Sequence, residues 1–299
     1  MTPEGGPARA GERHRRSLGQ VCALVGAFVV VQIVVGLVSH SLAVLSDAGH
    51  MATDALGMGM SLAAIHVASK GSVRTHRTFG WYRLEILAAL FNAALLFGVA
   101  AYVVVEAIHR VRHAPDVASP PVLAIGLSAI VVNLVAFQLL RAGAVESINL
   151  KAASVEVLGD LLGAVGVVVA AVLIAITHWR WIDSTIGAAI GLFILPRAAR
   201  LGASALRVLL QAAPAGLDLE SVHAALRGIE GVVDVHDLHV WTLTSEMEVA
   251  SAHIMVRASA DHHSVLDAAR LVLETDHHIH HATLQIEPDD HTGCEDLTW

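Results

Sequence analysis

The stretch Ser46-Asp47-Ala48-Gly49-His50-Met51-Ala52-Thr53-Asp54 stands inside a long apolar run, and how the run accommodates these polar groups decides the fold. His50 and Asp54 are four residues apart, so a helix places them on one face, about 6 Å apart along its axis. Glu156 and Asp160, in SVEVLGDLLGAVGVV, repeat the spacing a hundred residues later. Ionisable groups at membrane depth are costly unless paired, solvated or liganded. One pair alone reads equally well as polar glue between membrane helices. Two pairs on separate helices gather three carboxylates and an imidazole, whose repulsion calls for a cation or for protons. Four N/O ligands suit a divalent ion, Zn²⁺ first, held tetrahedrally at ~2.0–2.2 Å. Asp47, one turn before His50, reads either as a residue orienting that imidazole or as a polar group near the segment's outer end.

The composition agrees with this setting. Of 299 residues, 55% are hydrophobic and only 15% charged, and the mean hydropathy is +0.62. The apolar residues fall in runs, the mark of a polytopic membrane protein. Six segments of about the ~20 residues a bilayer requires can be drawn, at 19–39, 42–69, 84–108, 120–140, 153–177 and 181–209. His40 and Ser41 leave only a tight hairpin between the first two. Pro196, Arg197 and Arg200 predict a kink and an exit into the interface in the sixth. Asn133 and Gln138 on the fourth read as hydrogen-bonding glue. The N-terminus lacks the cleavage pattern of a signal peptide and is read as retained.

Basic residues set the expected orientation. Arg9, Arg13, Arg15 and Arg16 precede the first segment, and Lys70, Arg74, Arg77 and Arg83 follow the second. Arg141 and Lys151 flank the connection from the fourth to the fifth, and Arg197, Arg200 and Arg207 close the sixth. The other side has only Arg110, Arg112 and Arg180. Both termini are expected in the cytoplasm. The net charge of −8 resides in the C-terminal third, which argues against a nucleic-acid partner. Cys22 and Cys294 differ in surroundings and imply no disulfide framework.

From about Pro214 the pattern becomes that of a soluble module. LDLESVHAALRGIEG reads as a helix ended by Gly231. GVVDVHDLHVWTLT and EMEVASAHIMVRAS read as strands with a turn at Ser245. HHSVLDAARLVLETD is a second amphipathic helix and HATLQIEP a third strand. The order α-β-β-α-β predicts a small ferredoxin-like α+β domain beneath an α-helical membrane domain of six helices. So small a core favours dimerisation or bound metal. The expected divisions are a disordered N-terminus at 1–16, a transmembrane domain at 17–211, a cytoplasmic metal-binding domain at 212–288 and a tail at 289–299.

His236 and His253 fall on adjacent predicted strands and Glu287 on the third. They are either another zinc site or surface and hairpin histidines. His280, His291 and Cys294 make a further set in which His291-x-x-Cys294 has metal-ligand spacing. Ligation requires deprotonated groups, so the residues that hold a metal can hold protons once it leaves, and an imidazole titrates near neutrality. A membrane-embedded metalloenzyme is the reading from another class, but the chain has no HExxH or similar water-activating pattern. A metal sensor or store would have little use for six helices around a charged centre.

The stretches HSLAVLSDAGHMATD, FGWYRLEILAALFNA, NLKAASVEVLGDLLGAVGVV and VHDLHVWTLTS…SAHIMV…TLQIE resemble the cation diffusion facilitator family, in particular its zinc-transporter branch. The resemblance runs from about Ser17 to Glu287. It implies a six-helix exporter with a metallochaperone-like cytoplasmic domain, acting as a homodimer in the membrane and exchanging divalent metal for protons. By position, His50 and Asp54 match the family's second-helix ligands, and Asp160 its fifth-helix aspartate. Glu156 stands where zinc members usually have histidine, which makes the site harder and admits Cd²⁺, Co²⁺, Fe²⁺ or Mn²⁺ beside Zn²⁺. His236, His253 and Glu287 fall where related members hold one cytoplasmic ion. His280 and Cys294 fall where some hold another, with His291 in place of a usual cysteine. The connection RAGAVESIN lacks the His-rich loop of many eukaryotic members, which implies a bacterial-type protein of the inner membrane.

Overall fold

The computed structural model describes residues 7–69, 79–110, 115–141, 148–244 and 247–290. Lys70, Arg74, Arg77, Arg112, Ser245, His291 and Cys294 therefore lie outside the described residues. The chain forms two compact units, one of residues 1–80 and 88–202, the other of 81–87 and 203–299.

The first unit is built from long helices: α1 (Pro7–Val38), α2 (Leu42–Ser69), α3 (Arg83–Arg110), α4 (Ser119–Arg141), α5 (Ile148–Thr177) and α6 (Trp181–Leu209), the ends of α3 and α6 belonging to the second unit. Among the described residues, five helices are long and apolar enough to cross a membrane: Gly19–Val38, Arg83–Arg110, Ser119–Arg141, Ser154–Thr177 and Trp181–Leu209. The remaining expected segment, 42–69, forms α2, a 28-residue helix that carries Asp47, His50 and Asp54. Large apolar residues such as Val30, Leu37, Leu162 and Phe193 point outward, as a lipid-facing belt requires. α1 begins at Pro7, so residues 7–16, expected to be disordered, continue the first helix. Proline suits the first helical position, and Ala8, Arg9, Ala10 and Glu12 are good helix formers.

α1 packs against α2 and α4, α4 against α5, and α2 against α5. The α1–α2 turn passes through His40, whose φ is 56°. α6 meets α3 through Leu96, Ile194 and Ala198. It also comes close to the start of α2, because Gly187 has no side chain there. A Cβ at Gly187 would lie 3.0 Å from both the Leu42 carbonyl carbon and the Ala43 nitrogen. The start of α2 is capped from α6: buried Asp183 accepts from Ser41 Oγ and from the Leu42 N–H, each at 2.5 Å. Asn133 departs from its expected role. It is buried, and neither side-chain polar atom has a hydrogen-bond partner among the described residues. Gln138 lines a shallow apolar groove along α4 with Val131, Leu134 and Val135.

The second unit follows the expected order: α7 (Leu219–Arg227), β1 (Val232–Thr244), β2 (Met247–Val256), α8 (His262–Thr275) and β3 (His281–Pro288). β1 and β2 pair antiparallel, β2 and β3 parallel across α8, giving the sheet order β1-β2-β3. Asp218 and Asp261 are the N-caps of the two helices. Hydrogen bonds from Ser264 Oγ and the His263 N–H hold the Asp261 carboxyl below the usual carboxylate range. Leu226, Ile254, Leu273 and Ile279 fill a core between the helices and one face of the sheet. Gly231, at φ 93°, makes the turn into β1, a conformation that costs glycine nothing.

Candidate metal centres

In the first unit α2 packs against α5, and the one-turn spacing of His50 with Asp54 puts both on one face of α2, toward Asp160 of α5. His50, Asp54 and Asp160 are all buried, and one ligand atom from each lies within 4.8 Å of the others. The His50 Nε2 atom is 3.1 Å from Asp160 Oδ1 and 3.7 Å from Asp54 Oδ2. Asp54 Oδ2, Asp160 Oδ1 and His50 Nδ1 have no hydrogen-bond partner among the described residues. Buried carboxylate oxygens without donors are costly in a protein interior. A divalent cation between them would supply the missing counter-charge, so the donor set fits such an ion.

Glu156 is not gathered into that group. Its side chain is 43% exposed, and its Oε1 lies 2.7 Å from Nη2 of Arg197 on α6. The same Nη2 is 3.1 Å from Asp54 Oδ1, and Nη1 is 3.3 Å from His50 Nε2. Arg197 was expected to leave toward the interface beyond a kink at Pro196; it turns inward instead. The reason is electrostatic, since two carboxylates from α2 and α5 offer a guanidinium better hydrogen bonds than apolar surroundings do. The signal available in the sequence was the rule already applied to His50: an ionisable side chain at membrane depth is a functional candidate.

Asp47 is buried one turn from His50, yet it does not touch that imidazole. Its Oδ2 accepts from Gln32 Nε2 of α1 at 2.7 Å. Its Oδ1 faces Gly163 of α5, where a Cβ would lie 2.8 Å away. A glycine there is what lets α5 pass so close to this carboxylate.

In the second unit, His236 and His253 are direct partners across β1 and β2. Their rings meet edge to face with centroids 5.3 Å apart. Glu287 of β3 is buried beside them, with Oε1 2.8 Å from His253 Nδ1 and Oε2 3.5 Å from His236 Nε2. Their ligand atoms also fall within 4.8 Å of one another. Asp237 was missed: a register shift between His236 and His239 and a φ of 51° bring its Oδ2 to 3.9 Å from His253 Nε2. A bulge of this kind re-aims a side chain and leaves little trace in hydrophobic alternation. His280 is exposed, with Nδ1 3.6 Å from Glu274 Oε1; its expected partners His291 and Cys294 lie outside the described residues.

Known proteins resemble the chain along most of its length. The family model for the cation efflux transmembrane domain matches residues 21–210. That for the cytoplasmic domain of cation efflux proteins matches residues 214–289. The metal cation efflux system protein CzcD of Cupriavidus metallidurans is 40% identical over 275 residues, covering 92% of this chain and 87% of that one. The zinc transporter ZitB of Escherichia coli is 36% identical over 278 residues, with 92% and 88% covered. A cadmium, cobalt and zinc/H(+)-K(+) antiporter of Bacillus subtilis is 30% identical over 275 residues, with 90% and 87% covered.

Proposed function

The chain belongs to the cation efflux family, and on that premise we propose that it carries divalent metal cations, zinc first, out of the cytoplasm in exchange for protons. The observation that carries this reading is the convergence of His50, Asp54 and Asp160 from two helices into a buried set with unsatisfied ligand atoms. An imidazole nitrogen and two carboxylates make a zinc-like set, and Glu156, held on Arg197 in this structure, is the expected fourth ligand. Each ligand binds metal only when deprotonated, so protons and metal compete for the same atoms. Alternating exposure of such a site to the two sides would couple their opposite movements. The names of ZitB and of the B. subtilis antiporter support both zinc and proton exchange.

The basic loops support cytoplasmic termini, and the bacterial relatives support a place in the cell membrane. The match of residues 214–289 to the family's cytoplasmic domain supports a homodimer joined through that unit. A zinc ion at His236, His253 and Glu287 would brace the three strands from which they come. His280, His291 and Cys294 form a second, tail-borne set in the same reading. The transport reading is tested in proteoliposomes with a zinc-sensitive dye inside and a pH gradient imposed. Zinc should move against the proton flow, and absence of gradient-driven zinc movement would overturn the reading.

Glu156 supports a second reading, in which harder cations such as Mn²⁺ or Co²⁺ are also carried. Glu156→His should raise the preference for zinc over manganese about tenfold, the scale of one ligand interaction of 1.4 kcal/mol. Competition transport assays measure the ratio. An unchanged ratio would show that Glu156 does not set selectivity.

A further inference from the structure

Arg197 is unusual in what it touches. It is the one cation, among the described residues, in contact with the buried set, and it reaches three of the four expected ligands at once. Nη2 bridges Asp54 Oδ1 and Glu156 Oε1, while Nη1 faces His50 Nε2. In the tautomer with its proton on Nδ1, His50 Nε2 offers Nη1 the lone pair a metal would use. A metal ligated there at ~2.0–2.1 Å would lie inside the contact radius of a nitrogen only 3.3 Å from Nε2. The guanidinium and the metal cannot share that lone pair.

We propose that Arg197 is the site's built-in occupant: a tethered cation that holds His50, Asp54 and Glu156 between transport events and that an arriving divalent ion must displace. The proposal rests on the transport reading above. Formal charges support it. With His50 neutral, three carboxylates and one guanidinium leave the set at about −2, which a divalent ion neutralises without expelling the arginine from the membrane. Displacement would leave Arg197 with Glu156, the more exposed of its partners. That exchange would also loosen the tie between α6 and α2, since the Arg197–Asp54 ion pair joins them. Pro196, next in the chain and inside α6, removes one backbone hydrogen bond there and gives the helix a place to bend.

The test is equilibrium zinc binding to metal-free, detergent-purified full-length protein, by competition with a fluorescent chelator. The transport site is taken as the binding lost in Asp160→Asn. Removing a tethered competitor should tighten zinc binding at this site about tenfold in Arg197→Gln, while zinc turnover in proteoliposomes falls. Unchanged or weaker binding by a folded Arg197→Gln protein would overturn the proposal and leave Arg197 a structural brace. Should Arg197→Gln not fold, Arg197→Lys decides. A lysine cannot reach three acceptors with one planar fork, so zinc should bind about threefold tighter, and parental affinity overturns the proposal. If Asp160→Asn changes neither zinc binding nor transport, the transport reading itself fails, an outcome distinct from parental affinity in the Arg197 variants.

Discussion

Replacing Asp160 with asparagine is expected to lower zinc transport at least about 100-fold while leaving the helices folded. Asparagine keeps the shape of the side chain but removes a charged oxygen that lies 3.1 Å from His50 Nε2. Even partners that only orient metal ligands cost 10–100-fold in metal affinity or activity when lost, so a ligand should cost at least the upper end. The folded state should tolerate the change, because asparagine has the shape of aspartate and one unfavourable buried charge disappears. Initial rates of zinc flux in proteoliposomes measure the effect. His263→Ala, which alters an exposed side chain of the other unit, should retain the parental rate. Parental transport by Asp160→Asn would remove the buried set from the transport path.

Asp183→Ala is expected to destabilise the membrane unit by about 3 kcal/mol, the cost of stranding buried polar groups in a network. Asp183 is fully buried, and its carboxylate receives the Ser41 hydroxyl and the Leu42 N–H at the first turn of α2. Arg110, 4.0 Å away, balances its charge. Alanine would leave the hydroxyl, the N–H and the guanidinium without this acceptor. Ser41→Ala removes only one donor and should cost about 1 kcal/mol. Thermal unfolding in detergent compares the two, and equal midpoints would mean that Asp183 does not anchor α2.

The helices and the acidic pairs were legible because periodicity carries them. His50 with Asp54 and Glu156 with Asp160 each repeat at one helical turn, and long apolar runs around them admit few structures other than membrane helices. The α-β-β-α-β order of the second unit was equally readable from alternation and from Gly231. Three-dimensional pairings were not. Arg197 follows a proline inside its span, and a kink there was expected to send it to the interface; only the approach of α6 to α2 and α5 reveals its acceptors. Asp183 has no signal in the local pattern, because its partners lie some 140 positions earlier. Asp237 depends on a bulge and a positive φ, neither of which alters the pattern of apolar residues. Residues 7–16 were misjudged because polar composition suggested disorder where helix propensity prevailed.

The most direct test of a cation held between α2 and α5 is anomalous diffraction from crystals of zinc-loaded protein, with data on both sides of the zinc absorption edge. The expected result is an anomalous peak within ~2.0–2.2 Å of His50 Nε2 and of carboxylate oxygens from Asp54 and Asp160, with the Arg197 guanidinium moved off His50. Zinc peaks at His236, His253 and Glu287 but none between α2 and α5, in crystals where Arg197 still bridges Asp54 and Glu156, would contradict it.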